Sequence, residues 1–263
     1  MKFKNTGIFL MVVSCYAIFC LDEDSIRRLL KEDGLVEYAG AFCFLAAAGL
    51  FFASYVRSSG SGNNFAWLCT RRNIFYLFLG VFFFVAFGEE ISWGQRIFHM
   101  TNGELFNKIN KQKEMNIHNL WIFSSYENGV RAPIISGFFT IEKFFHVFWF
   151  LFCFVIPIVH KYSLQASRVL NHIGIPRAPV WIGVLLCVNY VFSKVVSKIY
   201  AIYSPGSYIQ TWELKESLSA FIFAILACHG LKNSYLIKDK KGNSLTQGET
   251  RKGGKDAKFR RLG

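Results

Sequence analysis

Several patterns are missing from this 263-residue chain, and each absence removes a class of protein. No ten-residue stretch alternates apolar and polar residues, which excludes the lipid-facing strands of a barrel, and open strands cannot cross lipid at all. The seven cysteines (Cys15, Cys20, Cys43, Cys69, Cys153, Cys187, Cys228) include no Cys-x-x-Cys pair. That spacing gives no disulfide framework, and thiols inside apolar blocks read as small packing groups. The strong zinc-protease pattern His-Glu-x-x-His is also missing. Charge is sparse, at 18% Asp, Glu, Lys and Arg, and it is unevenly placed. The net charge of +13 is not a nucleic-acid footprint, because residues 231–263 alone hold ten Lys and Arg against three acids.

What the chain does have is apolar residues in blocks, with 29 Phe against five Pro. Six blocks stand out: Thr6–Leu21, Leu35–Val56, Asn73–Trp93, Ile135–Val159, Pro179–Tyr200 and Tyr208–Gly230. Each is close to the ~20 residues that span a hydrocarbon core. The reading is an all-α polytopic integral membrane helical bundle of about six transmembrane helices, occupying residues 1–230. The first block has an alternative. Met1-Lys2-Phe3-Lys4 followed by an apolar run also fits a signal peptide, with Val12-Val13-Ser14-Cys15 offering lipoprotein-type cleavage before Cys15. Because the apolar run continues through Tyr16–Leu21, an uncleaved helix is preferred.

The tail 231–263 is Gly- and Lys-rich without an apolar period, so disorder is expected there. A basic tail beside a membrane helix belongs on the cytoplasmic face. Counting back through six helices places both termini inside, in a bacterial inner or plasma membrane. Arg57, Arg71, Arg72, Lys161, Arg168 and Arg177 then fall inside, while Asp22–Gly34 and the long loop 97–132 fall outside. Trp67, Trp93, Trp121, Trp181 and Trp212 lie near block ends, as an interfacial aromatic belt would.

This topology gathers ionisable groups at one depth on the outer face. Glu37 opens the second helix; Glu89, Glu90 and Arg96 close the third; Glu142, Lys143 and His146 begin the fourth. Lys194 and Lys198 end the fifth, and Glu213, Lys215 and Glu216 open the sixth. Intramembrane charges are costly, at roughly +2.5 to +3.5 kcal/mol near a helix centre, and such residues read as a site by default. On a helix, Glu89, Ser92 and Arg96 would share a face while Glu90 points about 100° away. That puts Glu90 in the cavity and pairs Glu89 with Arg96, the reverse assignment standing close behind.

Two Glu-x-x-x-His spacings, Glu114/His118 in the long loop and Glu142/His146, would put carboxylate and imidazole on one helix face. Carboxylates and neutral imidazole at such spacing grip a divalent metal such as zinc, with Glu90, His118, His146, Glu37 and Glu216 as the ligand set. The catalytic set is then Glu89, Glu90, Ser92, Arg96 and His118. The bland reading pairs Glu142 with Lys143 or Lys198 and Glu213 with Lys215 or Lys194, as structural ion pairs. Lys194 and Lys198 are alternatively suited to a headgroup phosphate.

Gly88-Glu-Glu-Ile-Ser-Trp-Gly-Gln-Arg96 and the Asn-x-Gln-x-Glu-x-Asn-x-His-Asn run from Asn110 resemble bacterial multi-pass membrane proteins of no assigned activity. The Glu32-Asp-Gly-x-x-Glu37 stretch resembles the same group. Distant similarity extends to CAAX-type intramembrane proteases, whose Glu-Glu-x-x-x-Arg is here stretched to five residues between Glu90 and Arg96, and whose Phe-x-x-x-His is missing. Ceramidase-like (CREST) hydrolases are also distantly similar. They use Ser, Asp and three His around zinc, against Ser92, His118 and His146 here. The expected activity is membrane-embedded, metal-assisted hydrolysis or transfer on a lipid or lipid-linked substrate at the outer face. Membrane lipids are the expected partners and nucleic acid is not. An ion-coupled transporter or flippase, or a non-catalytic assembly factor, are the alternatives.

Overall fold

A computed structural model describes residues 3–31, 34–58, 72–95, 97–101, 103–110, 113–117, 119–120, 123, 126–127, 130–131, 140–203 and 210–234. The chain is built from helices α1 (Phe3–Cys15, extended by a 3-10 segment Tyr16–Cys20), α2 (Glu23–Leu29), α3 (Leu35–Arg57) and α4 (Ile74–Glu90). After a short α5 (Glu104–Ile109) come α6 (Ile141–Tyr162), α7 (Leu164–Ile173), α8 (Val180–Tyr203) and α9 (Thr211–Ser234). A two-residue antiparallel ladder, β1 (Tyr126–Glu127) with β2 (Val130–Arg131), is the β structure among the described residues, apart from one Asn110–Leu120 bridge.

Four helices, α3, α6, α8 and α9, are long and apolar enough to cross a membrane. The 17 residues of α4 span about 26 Å at 1.5 Å each, and the first block is the shorter apolar helix Asn5–Cys20. The helical part of the fourth block starts at Ile141, later than the Ile135 expected from hydropathy, and residues 132–139 lie outside the described set. The tail 235–263 also lies outside it.

Helix starts follow local polar chemistry. Asp22, Asn73, Thr140 and Ser163 each accept a hydrogen bond from a backbone N–H of the first turn, at 2.8, 3.0, 3.3 and 3.2 Å. Such caps satisfy donors that the helix leaves open. Inside α6 the turn Leu151–Val155 widens into a π-helix. Pro157 explains it, since proline has no N–H to offer the Cys153 carbonyl four residues back and its ring crowds that carbonyl. The freed carbonyl approaches α8 at Gly183, where even a methyl group would collide with it.

The helices alternate direction. At one end, Asn73 at the start of α4 donates to the Gly174 carbonyl after α7 (2.6 Å), and its N–H reaches Ser58 Oγ at the end of α3 (2.9 Å). At the other end gather the starts of α3, α6 and α9 and the end of α4. Between the two ends lies an aromatic core. Phe83 stacks on Phe51 (5.6 Å) and meets Phe223 (4.9 Å), and Phe82 meets Phe148 at 4.4 Å between ring centres. Outward-facing Phe42, Phe78, Val147 and Val191 are each more than half exposed, a surface that suits lipid rather than water.

Candidate functional site

The Gly88–Gln95 segment leaves the helix at Glu90 and turns through a 3-10 segment, Ser92–Gly94. Ser92 and Trp93 both take left-handed backbone conformations (φ 46° and 51°), as does Gly94 (φ 80°). Two consecutive non-glycine residues there cost on the order of 1–3 kcal/mol each, so their surroundings must hold them. The turn corrects the expected helical face, because Glu89 and Ser92 are no longer related by helical periodicity. It folds the Trp93 ring over Gly88, where any side chain would meet the indole at 2.9 Å. Trp93 Nε1 then donates to Glu89 Oε1 at 2.7 Å.

The second motif lies directly on this turn. Ser92 Oγ donates to Glu114 Oε2 (2.8 Å), Met115 N–H donates to Gln95 Oε1 (2.7 Å), and Ile117 N–H donates to Glu89 Oε2 (2.6 Å). Asn116 Nδ2 donates to the same Glu114 oxygen (2.7 Å), and buried Asn110 donates to the Asn116 carbonyl (2.8 Å) and side-chain oxygen (2.9 Å). Residues 113–117 are irregular, not helical, with Lys113 at φ 57°. The expected i, i+4 pairing of Glu114 with His118 on one helix face is therefore corrected. Glu114 anchors the loop to Ser92 and Asn116 instead. A half-buried carboxylate that receives two donors is satisfied where it stands.

Above the phenylalanine core, the helix ends enclose a cavity of about 920 Å³. Seven glutamates line it: Glu37, Glu89, Glu90, Glu114, Glu142, Glu213 and Glu216. Ser92, His146 and Lys215 also face it. Its deeper wall is apolar, with Phe44, Phe82, Phe145, Phe148 and Leu186. From Glu37 to Phe44 the wall descends about 10 Å along α3.

Lys215, at 5% exposure, sits within 3.0 Å of Glu142 and 3.3 Å of Glu216. Glu142 therefore pairs across the bundle with α9, not with Lys143 or Lys198. Beneath Lys215, Asn189 of α8 donates to the Lys215 carbonyl (2.9 Å) and to Ser219 Oγ (3.0 Å), and accepts from Tyr16 OH (2.7 Å). This fixes α1, α8 and α9 together. His146 packs edge-on against Tyr190 (5.0 Å) and Trp149 (6.3 Å). Lys194 places its ammonium over the Tyr190 ring at 5.4 Å.

Of the residues expected from sequence, Glu37, Glu89, Glu90, Ser92, His146 and Glu216 face this one cavity. Arg96 and His118 lie outside the described residues. The assignment of Glu90 and Glu89 is refined. Both line the cavity, and Glu89 accepts hydrogen bonds from Trp93 Nε1 and the Ile117 N–H. As placed, no three His, Cys, Asp or Glu among the described residues form a metal-holding group. Sequence reasoning missed Asn110, Asn116 and Gln95 as loop anchors, and Tyr190 as a wall residue. Tyr190 stands four residues before Lys194, and that spacing was the available signal.

Scans against protein-family profiles, curated proteins and solved structures find no match to this chain.

Proposed function

We propose that the protein is a membrane-embedded hydrolase or transferase acting on a lipid or lipid-linked substrate at the outer face of a bacterial inner membrane. The carrying observation is the cavity, acidic at its rim and lined with phenylalanine at its base, which matches an amphiphile with its headgroup uppermost. All six apolar helices cross the membrane in this reading, with both termini and the basic tail 231–263 cytoplasmic. It is supported by Arg57, Arg72, Lys161, Arg168 and Arg177, which cluster at the end opposite the cavity, as the positive-inside rule asks. That the cavity lining gathers toward one end of the bundle favours chemistry at a face over passage through the membrane.

Glu90 and His146 are the acid/base pair or metal ligands in this reading. Glu37, Glu216 and His118 complete a divalent site such as zinc after side-chain movement, and Arg96 and Ser92 hold the approach. Ser92 is nearly fully buried and donates to Glu114, a positioning role. The test combines elemental analysis of the purified full-length protein with lipid profiling of cells carrying it or its Glu90→Gln, His118→Ala and His146→Ala variants. The reading expects bound metal in the native protein and a lipid difference that the variants abolish. No metal, together with identical lipid profiles for all four proteins, would overturn it.

A further inference from the structure

Resting on the reading of α6 and α8 as membrane spans, and not on the catalytic reading, we infer that α7 is an interfacial helix that seats an anionic phospholipid at the basic end of the bundle. The level of α7 follows from its two ends. It starts directly after α6, where Ser163 takes an extended conformation (φ −118°, ψ 112°) and breaks the helix. It stops at left-handed Gly174, whose carbonyl accepts from Asn73 at the start of α4. Both ends thus lie at one end of the bundle. Between them α7 folds back over the close of α6. His160 Nε2 is 3.1 Å from Ser167 Oγ and 3.3 Å from Asn171 Oδ1, although an unbroken helix would separate those residues by about 10 and 16 Å along its axis. Arg177 donates to the same Asn171 oxygen from beyond Gly174. The ten residues of α7, about 15 Å of helix, therefore lie across the bundle end, where hydrocarbon gives way to water.

The exposed side of α7 suits that level. No residue of the helix is buried, and Leu164, Arg168 and His172, one turn apart, form an exposed ridge with Val169 beside it. Leu164 is 80% exposed, and Tyr162, the last residue of α6, is 76% exposed. Large apolar groups standing that far out beside cations match a surface that is apolar below and charged above. Lys161, Arg168 and Arg177 are the exposed cations, and residues 144–212 contain no Asp or Glu. Residues 57–73, which link α3 to α4, contain none either. The tail 231–263 adds ten Lys and Arg against three acids, so the chain's own carboxylates cannot neutralise this end. The anion available at this depth is a lipid phosphate. A zwitterionic headgroup brings its own ammonium to that phosphate, whereas an anionic headgroup leaves the charge to the protein. Lys and Arg reach upward to it while Leu164 and Tyr162 meet the acyl chains.

The test is native mass spectrometry of the full-length protein in neutral maltoside micelles, titrated with phosphatidylglycerol or with phosphatidylcholine of the same chains. Phosphatidylglycerol should bind more tightly. The Lys161→Gln/Arg168→Gln protein should bind it about tenfold more weakly, with phosphatidylcholine binding unchanged. Both side chains are exposed, and thermal unfolding checks that the variant is folded. Should it unfold early, the two single variants carry the test, each expected to lose part of the affinity. Equal binding of the two lipids by the native protein, or native phosphatidylglycerol affinity in the folded variants, overturns the inference. Binding is read without turnover and in micelles that have no sides. An anionic-lipid site on α7 in a protein that alters no lipid would therefore refute the catalytic reading alone. Lipid turnover with native phosphatidylglycerol affinity in the variants would refute this inference alone.

Discussion

Lys215 neutralises part of the cavity wall, and replacing it with methionine removes the charge while keeping an unbranched chain of similar length. Removing one partner of a fully buried ion pair costs about 3–5 kcal/mol, whereas exposed pairs are worth about 0.2–1 kcal/mol. The Lys215 side chain is 7% exposed, but those of Glu142 and Glu216 are 57% and 38% exposed, so water screens much of the interaction. A loss of about 1–2 kcal/mol is therefore expected, or a fall of about 3–6 °C in the melting temperature for a chain of this size. The backbone carbonyl of Lys215 keeps its bonds from Asn189 and Ser219 in the variant, so the change isolates the ammonium. Thermal unfolding in neutral detergent is the assay, run beside Glu142→Gln and the double variant. The double variant should recover part of the loss, because no carboxylate is left at position 142 to lack its counter-charge. A Lys215→Met protein within about 0.5 kcal/mol of native, or a double variant whose losses simply add, would refute the ion-pair account.

Three further outcomes follow from separate parts of the fold. Asn189→Ala should destabilise by about 1–3 kcal/mol, since a buried amide linking Tyr16, Lys215 and Ser219 leaves partners unsatisfied; unchanged thermal unfolding would contradict it. Gly183→Val should cost at least about 1–3 kcal/mol, because its side chain must displace the Cys153 carbonyl of the widened α6 turn; a native-like melting temperature would mean that α6 and α8 do not touch there. The Ser25 N–H holds the Asp22 carboxyl below its usual value, so its capping contribution is present above about pH 3.9 and is lost as pH falls through the lower folded value. Amide exchange in α2, corrected for intrinsic rates, should therefore accelerate in acid for the native chain and stay flat for Asp22→Ala.

Most of the helical plan was readable because lipid leaves a chain few choices. Backbone groups must bond within the segment, so each apolar block becomes a helix, and blocks joined by short loops alternate direction. Alternation brings Glu37, Glu90, Glu142 and Glu213 to one end without any tertiary information. Two features escaped this logic. The late start of α6 depends on Thr140 as a cap, while hydropathy alone ran the block back to Ile135. The π turn at Leu151–Val155 needed Pro157 to be weighed against the carbonyl four residues earlier, which an apolar average does not register.

The paired glutamates show where periodicity stops being informative. Helical geometry separates adjacent residues by about 100°, enough to say that Glu89 and Glu90 face different neighbours, but not which faces what. The choice is made by Ser92 and Trp93, whose left-handed backbones end the helix and carry the indole back over Gly88 to reach Glu89. Once Glu89 holds Trp93 and the Ile117 amide, it joins the turn to the Asn110–Ile117 loop. Glu114, read from spacing as a metal-ligand partner of His118, joins the same seam through Ser92 and Asn116. The two conspicuous motifs are thus largely a single interlocked support, and left-handed conformations at non-glycine positions cannot be read from a one-dimensional pattern. The residue this support presents is Glu90. Glu114→Ala should therefore leave the Ser92 and Asn116 donors unsatisfied and cost about 1–3 kcal/mol, with faster amide exchange at Met115 and Ile117; native exchange there would refute the anchoring account.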